Sequence, residues 1–210
     1  MTSDFLGATY EADKGDGRGC VGVARYDEGI WSSRQDCVAV EEPLEIRLGY
    51  ELVGRPAEKS LSVTMRTPGA DRALAAGFLY GEGIISSATD IERIELVDGE
   101  DNEEDNGNIL RVHVASGVDL DLGSLQRHFY TTSSCGVCGK ASLDALRTDD
   151  CVPVDGADLV VHPDLLLRLP RRLRMAQEVF EETGGLHAAG LFDNEGTLIE
   201  VREDVGRHNA

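Results

Sequence analysis

The sequence predicts a mixed α/β protein with a β-rich first part, and two patterns carry this prediction. From residue 44 to residue 65, apolar and polar side chains alternate in two runs that start at Leu44 and Leu61. A period of two is typical of strands with one buried face, and the turn residues between the runs favour an antiparallel pair. In the second half a helical pattern precedes two further strands, expected at 187–192 and 198–201.

A helix is expected directly after the second strand. Thr67 offers a capping hydroxyl, Pro68 suits the first helical turn, and Asp71 favours the positive end of a helix. Leu74 and Phe78 lie four residues apart and start an apolar face.

The chain divides by composition and pattern into four segments. A Gly- and Asp-rich start, 1–40, is expected to be poorly ordered, and 41–130 to be a β-rich and helical part. A mobile cysteine loop is predicted at 131–140, followed by an α/β part at 141–210. Within 41–130 a further strand is expected at 110–114, and within 141–210 a helix from 165 to 182 is interrupted at Pro170 and ends at a glycine pair.

The charge balance excludes several classes of protein. The 210 residues include 39 acidic and 20 basic side chains, for a net charge of −19, and few of the basic residues are lysine. This composition suggests a very salty cytoplasm, where ions screen the self-repulsion. It argues against broad nucleic-acid binding, which needs a basic face. No apolar run is long enough to span a membrane and no signal-peptide pattern is present, so a soluble, cytoplasmic protein is expected.

The strongest chemical signal is a C-x-x-C loop at 131–140, with Cys135 and Cys138 among small hydroxyl residues and glycines. A helix predicted after the loop would turn its N-terminus toward the thiols, and Lys140 adds positive charge; both favour thiolate. Accessible thiolates suit persulfide formation and thiol–disulfide exchange. No second ligand pair for a zinc ribbon exists. From the loop alone, redox, metal-binding and sulfur-transfer roles stay equally open.

Five separated motifs resemble those of the FdhD/NarQ family, the formate dehydrogenase accessory sulfurtransferases. The resemblance extends from about Glu42 to Ala210 and lies in the following segments: 66–68 (RTP), 77–85 (GFLYGEGII), 134–139 (SCGVCG), 183–190 (TGGLHAAG) and 203–210 (EDVGRHNA).

The resemblance implies a fold like that of cytidine deaminase, a mixed sheet flanked by helices, in a homodimer. It implies that a cysteine desulfurase loads sulfur onto Cys135 as a persulfide and that Cys138 assists or resolves. The sulfur then passes to the molybdenum or tungsten of a bis-guanylyl-molybdopterin cofactor, a transient substrate, before its insertion into formate dehydrogenase. No permanent cofactor or metal is implied.

Three further residues are candidates for binding the cofactor. Arg207 and His208 could meet its phosphates, because arginine matches phosphate geometry with paired donors. The alternative is an ion-paired helix start with Asp204 as the N-cap. His187 is equally expected to act at the site or simply to bond backbone in its glycine-rich surroundings.

Rival functions remain at this stage. Zinc-dependent deamination needs a His-x-Glu, and here His187 is followed by Ala188 and Ala189, so the carboxylate is missing. A cofactor-binding chaperone without sulfur transfer, or a zinc module using Cys135, Cys138 and His187, are the alternatives. Family members continue beyond the last motif, so we also expect that this sequence is a fragment or a truncated product.

Overall fold

The computed structural model describes residues 11–13, 17–97, 107–118, 120 and 160–210. These residues form two compact units. One comprises 42–66 and 70–157, and the other comprises 1–41, 67–69 and 158–210, within the limits of the described ranges. In those ranges no helix has the length and apolar character needed to cross a membrane.

The first of these units, called the sheet unit, is built on four strands in the order β5-β4-β7-β6. Strand β4 pairs antiparallel with β5 and parallel with β7, and β6 pairs antiparallel with β7. The helix α1 contacts β7. The bounds are Glu42–Leu52 for β4, Arg55–Arg66 for β5, Asp71–Gly81 for α1, Ile91–Val97 for β6 and Ile109–Val114 for β7.

The core of the sheet unit confirms the period-two prediction for β4 and β7, whereas in β5 Leu61 is buried but Val63 is 51% exposed. Side chains at alternate positions of β4 and β7 are buried, and α1 adds Ala75 and Leu79 to the same cluster. Alternate residues of a strand point to opposite faces, so one face of the sheet is apolar. The buried members are Leu44, Ile46, Leu48, Leu61, Ala75, Leu79, Ile85, Leu110, Val112 and Val114.

The opposite face of the sheet carries a ladder of charges. Arg47 bonds to Glu45 and Glu58, at 2.7 and 3.2 Å, and Arg111 bonds to Glu58 and Glu95. His113 Nε2 lies 2.7 Å from Glu95 Oε1. Opposite charges on neighbouring strands stabilise their pairing.

The second unit, called the ribbon unit, contains two separate sheets. Strands β1, β2 and β3 form one, with Glu11–Asp13, Arg18–Asp27 and Ile30–Ala39 in that order. Strands β8, His187–Phe192, and β9, Leu198–Asp204, form the other. Three short helices precede β8: α2 at Pro163–Leu166, α3 at Leu169–Met175 and α4 at Glu178–Thr183.

The expectation of a poorly ordered segment differs from the structure over 18–39. Strands β2 and β3 pair along their full length, from Arg18 opposite Ala39 to Asp27 opposite Ile30. Glu28 and Gly29 connect them with φ of 46° and 87°, the positive values that tight two-residue hairpin turns require. Most residues of this β2–β3 ribbon are exposed, so its sequence lacks the alternation that a buried face imposes.

The predicted start of α1 is wrong by three residues. The helix begins at Asp71 after Ala70, which makes no side-chain capping bond. Thr67 and Pro68 precede it in non-helical backbone because the Thr67 hydroxyl and amide bond elsewhere. A break near Pro170 is present, since α2 ends at Leu166 and Pro170 lies in the first turn of α3. The predicted continuous helix beyond Pro170 is wrong, because α3 ends at Met175 and α4 begins at Glu178.

Candidate functional site

The central residue of the 203–210 motif is Asp204, the last residue of β9, which is 5% exposed. Its Oδ2 accepts a hydrogen bond from the Thr67 backbone amide at 3.0 Å. Its Oδ1 accepts from the Gly206 amide at 2.7 Å and from Asn209 Nδ2 at 3.0 Å. A buried carboxylate needs such donors to offset the loss of water, so Asp204 fixes the backbone around it.

Thr67 returns a second bond to the same motif. Its hydroxyl oxygen accepts from the Val205 amide at 3.2 Å, and the residue is 7% exposed. Gly17 packs against it so closely that an added Cβ would lie 2.6 Å from Thr67 Cγ2. The two bonds join the 66–68 motif to the 203–210 motif, and we call this pair of bonds the Thr67–Asp204 clasp.

The clasp leads into a tight turn that presents Arg207 and His208. The amides of Asn209 and Ala210 both donate to the Gly206 carbonyl, at 2.9 and 3.1 Å. A Cβ on Gly206 would lie 2.8 Å from Asn209 Nδ2, so a side chain there would displace the amide that bonds Asp204. Arg207 and His208 are exposed on this turn. Neither side chain makes a hydrogen bond or ion pair with another described residue.

Glu203, one residue earlier, has a different partner. Its two carboxylate oxygens accept from the amides of Val179 and Phe180, at 3.0 and 2.9 Å. These amides belong to the first turn of α4, where helix donors have no partner within the helix. Gln177, the residue before α4, makes no side-chain capping bond, so Glu203 supplies the cap from a neighbouring strand.

The 183–190 motif forms the end of α4 and the start of β8. Gly184 has a φ of 68°, the left-handed conformation with which helices commonly end, as predicted. His187 opens β8 opposite Asp204, with its side chain exposed. His187, Arg207 and His208 therefore lie toward the same end of the β8–β9 ribbon.

Arg66 is a structural residue of the sheet unit. It is 2% exposed, and its Nε and Nη2 donate to the two oxygens of Asp71 at 2.9 and 3.0 Å. Nη2 also donates to Asn108 Oδ1 at 3.2 Å, and Nη1 lies 3.6 Å from a Glu42 oxygen. A guanidinium that is enclosed in this way by carboxylates is not available to a ligand.

The predicted catalytic residues Cys135 and Cys138 lie outside the described residues, as does Lys140. His187, Arg207 and His208 are the predicted site residues that the structure describes. Among the described residues, no three histidine, cysteine or carboxylate side chains are grouped so that they could hold a metal ion.

The sequence interpretation missed the roles of Thr67 and Glu203. The sequence predicts a local helix cap at Thr67, but its partners lie 137 and 138 positions away. For Asp204 a local signal existed: an Asp followed two residues later by Gly is typical of a carboxylate that bonds the amide two residues ahead. Asp204 makes this bond to Gly206 in a turn, because no helix follows it in the described residues.

Comparison with known proteins is consistent with these motifs. The chain is 51% identical over 190 residues to a protein of Streptomyces avermitilis named sulfur carrier protein FdhD, covering 90% of this chain and 64% of the relative. Proteins of the same name from Mycobacterium tuberculosis and Sulfolobus acidocaldarius are 45% and 40% identical, over 85% and 90% of this chain and 63% and 65% of theirs. The chain thus spans less than two thirds of the length of these relatives.

A solved structure supports the fold. It belongs to a protein of Desulfotalea psychrophila assigned as a formate dehydrogenase accessory protein, with a TM-score of 0.55 and 19% identity. The match covers 97% of this chain and 65% of that one. The mixed α+β class is therefore confirmed, while the likeness to cytidine deaminase stays a prediction. The profile of the FdhD/NarQ family matches residues 39–210, and the chain belongs to that family.

Proposed function

We propose that this protein is a sulfur carrier that moves sulfur from a cysteine desulfurase to the bis-guanylyl-molybdopterin cofactor of formate dehydrogenase. The observation that carries the proposal is its 51% identity to a relative named for sulfur carriage. The C-x-x-C sequence supports it, because Cys135 and Cys138 provide the thiols that such chemistry needs.

In the first step the Cys135 thiolate attacks the outer sulfur of the desulfurase persulfide. The S–S bond of the donor breaks, its cysteine leaves as thiolate, and Cys135 carries the persulfide. In the second step the Cys138 thiolate attacks Cys135 Sγ, so that a Cys135–Cys138 disulfide forms. The outer sulfur leaves with two electrons, at the oxidation level of hydrosulfide, and becomes a ligand of the molybdenum or tungsten.

The turn after β9 supports a role in holding the cofactor. The Thr67–Asp204 clasp fixes the backbone of this turn, and Arg207 and His208 are exposed on it. A guanidinium can give paired hydrogen bonds to a phosphate. Glu203 and Asp204, the acidic residues beside it, already bind backbone amides. The exposed side chains of Arg207 and His208 are therefore the ones left to meet the guanylyl pyrophosphate.

Sulfur loading tests the thiol step. With desulfurase and ³⁵S-cysteine, Cys135→Ala should lose at least about tenfold of the label, whereas Cys151→Ala, which removes a thiol outside the motif, should load like the natural protein. Loading retained by Cys135→Ala together with normal activation of formate dehydrogenase would refute the proposal.

A cofactor-binding chaperone is the second candidate, because the turn that carries Arg207 and His208 does not depend on the thiols. Replacing Cys135 and Cys138 by Ser separates the two functions. A carrier loses both sulfur loading and dehydrogenase activation, whereas a chaperone keeps activation. The zinc content of the purified protein tests the remaining alternative, a zinc module, which requires bound zinc. Light scattering tests the expected homodimer.

A further inference from the structure

Two cysteines outside the C-x-x-C motif face each other across the β2–β3 ribbon. Cys20 on β2 lies directly opposite Cys37 on β3, and the pairing of the two strands has no register shift. Directly opposed residues in an antiparallel pair have Cα atoms about 4.5–5.5 Å apart and side chains on the same face. A disulfide spans Cα separations of about 4.4–6.8 Å. The backbone therefore already has the spacing that a disulfide requires.

The side chains are also suited to exchange. Both are free thiols; Cys20 is exposed and Cys37 is partly buried. Partial burial, a hydrogen bond and charge interaction with Cys20, and the Glu182 and Asp36 carboxylates raise the pKa of Cys37. The Cys37 thiol therefore stays protonated to a higher pH than an ordinary thiol, while Cys20 is accessible to a reagent in solution. This asymmetry gives the two thiols an order of reaction.

We propose that Cys20 and Cys37 form a second redox site, which low-molecular-weight disulfides oxidise to a cross-strand disulfide. The Cys20 thiolate attacks one sulfur of the small disulfide, and the first small thiolate leaves. Cys37 gives its proton to solvent and attacks Cys20 Sγ, and the second small thiolate leaves. The small disulfide is reduced to two thiols, and the protein dithiol loses two electrons and two protons.

The position of this pair determines what its oxidation changes. Cys20 and Cys37 lie near the base of the ribbon, where Arg18 pairs with Glu182 at 3.0 Å and β3 packs against α4. Beyond them the ribbon extends to an exposed tip, where Tyr26 and Trp31 lie with ring centroids 5.0 Å apart. A disulfide at the base would close the loop that carries this tip and hold β2 and β3 together.

Peptide mapping tests the proposal directly. Trypsin cleaves after Arg18, Arg25, Arg34 and Arg47, which places Cys20 in peptide 19–25 and Cys37 in peptide 35–47. The reduced native chain is incubated with rising ratios of oxidised to reduced glutathione, alkylated and digested. We expect the two peptides joined, with the loss of two hydrogen atoms, in most molecules at high ratios and in none after reduction. If the joined pair is absent at every ratio, or if either thiol links instead to Cys135, Cys138 or Cys151, the proposal is overturned.

A matched variant tests the role of register. Cys37→Ser combined with Val38→Cys moves the thiol by one position, to the opposite face of the strand. The linked yield should fall at least about tenfold under conditions that fully oxidise the natural chain. An unchanged yield would show that chain mobility, rather than the cross-strand geometry, brings the thiols together. Neither readout depends on sulfur-carrier activity.

Discussion

Asp204 illustrates how a single buried carboxylate connects distant parts of a sequence. Its carboxylate oxygens accept hydrogen bonds from the amide of Thr67, the amide of Gly206 and the side chain of Asn209. Asp204 is 5% exposed, so removal of its carboxylate would leave these donors without their protein acceptor in a largely buried site. The residue thus matters first for the shape of the last motif and only through that shape for cofactor binding.

Asp204→Ala should therefore destabilise the protein by about 2–3 kcal/mol, since hydrogen bonds to a buried charge are lost and their donors stay unpaired. Urea unfolding followed by circular dichroism measures the change. Asp27→Ala is the control, because the exposed Asp27–Arg25 pair should contribute less than about 1 kcal/mol. Equal losses in the two variants would contradict the central role of Asp204.

Arg207 gives the residue-scale prediction for ligand binding. Arg207→Ala should weaken the binding of guanosine diphosphate, a probe for the guanylyl pyrophosphate, by about tenfold or more, and Arg207→Lys should restore it only in part, because lysine lacks the paired donors. Calorimetry measures both affinities. Arg202→Ala, which removes an exposed arginine of β9, should bind like the natural protein. Unchanged affinity in Arg207→Ala would exclude Arg207 from the site.

At the scale of elements, α4 depends on a partner from another element. Glu203 on β9 accepts two amide bonds at the N-terminus of this six-residue helix. Glu203→Ala should cost about 1 kcal/mol, and Glu203→Gln less, because the amide keeps one acceptor but loses the charge that favours a helix N-terminus. The rates of hydrogen exchange at the amides of Val179 and Phe180 should rise in both variants, and they should rise more in Glu203→Ala than in Glu203→Gln. Exchange that is unaffected by either change would show that the helix is stable without this cap.

The charged face of the four-stranded sheet predicts a pH dependence. The hydrogen bond from His113, followed by those from Arg111 and Arg93, lowers the pKa of Glu95 to about 2. A carboxyl whose pKa is lower in the folded state stabilises the fold above its unfolded pKa of about 4.3, and this contribution disappears as the pH falls through about 2.

Urea midpoints of the natural protein and of Glu95→Gln test this dependence. The natural protein should be more stable at neutral pH, and the difference should shrink between pH about 4.3 and about 2. Other carboxylates of the chain also titrate in this range, so the difference between the two proteins isolates Glu95. A difference that stays constant down to pH about 2 would contradict the assignment.

The elements also show what sequence patterns could and could not predict. Strands β4 and β7 were predictable because one buried face imposes a period of two, and Gly184 was predictable because a left-handed helix end favours glycine. Thr67 and Glu203 were not, because their bonds join residues that are far apart in sequence. The β2–β3 ribbon lacked a signal because little of it is buried. Cys135 and Cys138 remain predictions, since the structure does not describe them.

At the scale of the whole molecule, the net charge of −19 predicts a dependence on salt. Self-repulsion among the acidic residues is screened over about 3 Å in molar salt and over about 30 Å at 0.01 M. Melting temperatures should therefore rise from low salt to molar potassium chloride. Matched sucrose stabilises through exclusion rather than screening and is the control. Equal melting temperatures in low and molar salt would contradict the halophilic interpretation.

The Thr67–Asp204 clasp has a consequence for synthesis. Thr67 leaves the ribosome 137 residues before Asp204, which at about 5–20 residues per second is a delay of roughly 7–27 s. The ribbon unit also needs both 1–41 and 158–210, whereas every segment assigned to the sheet unit has been made by residue 157. The sheet unit can therefore fold while translation continues, and the nascent ribbon unit must wait with its first strands exposed to chaperones and proteases.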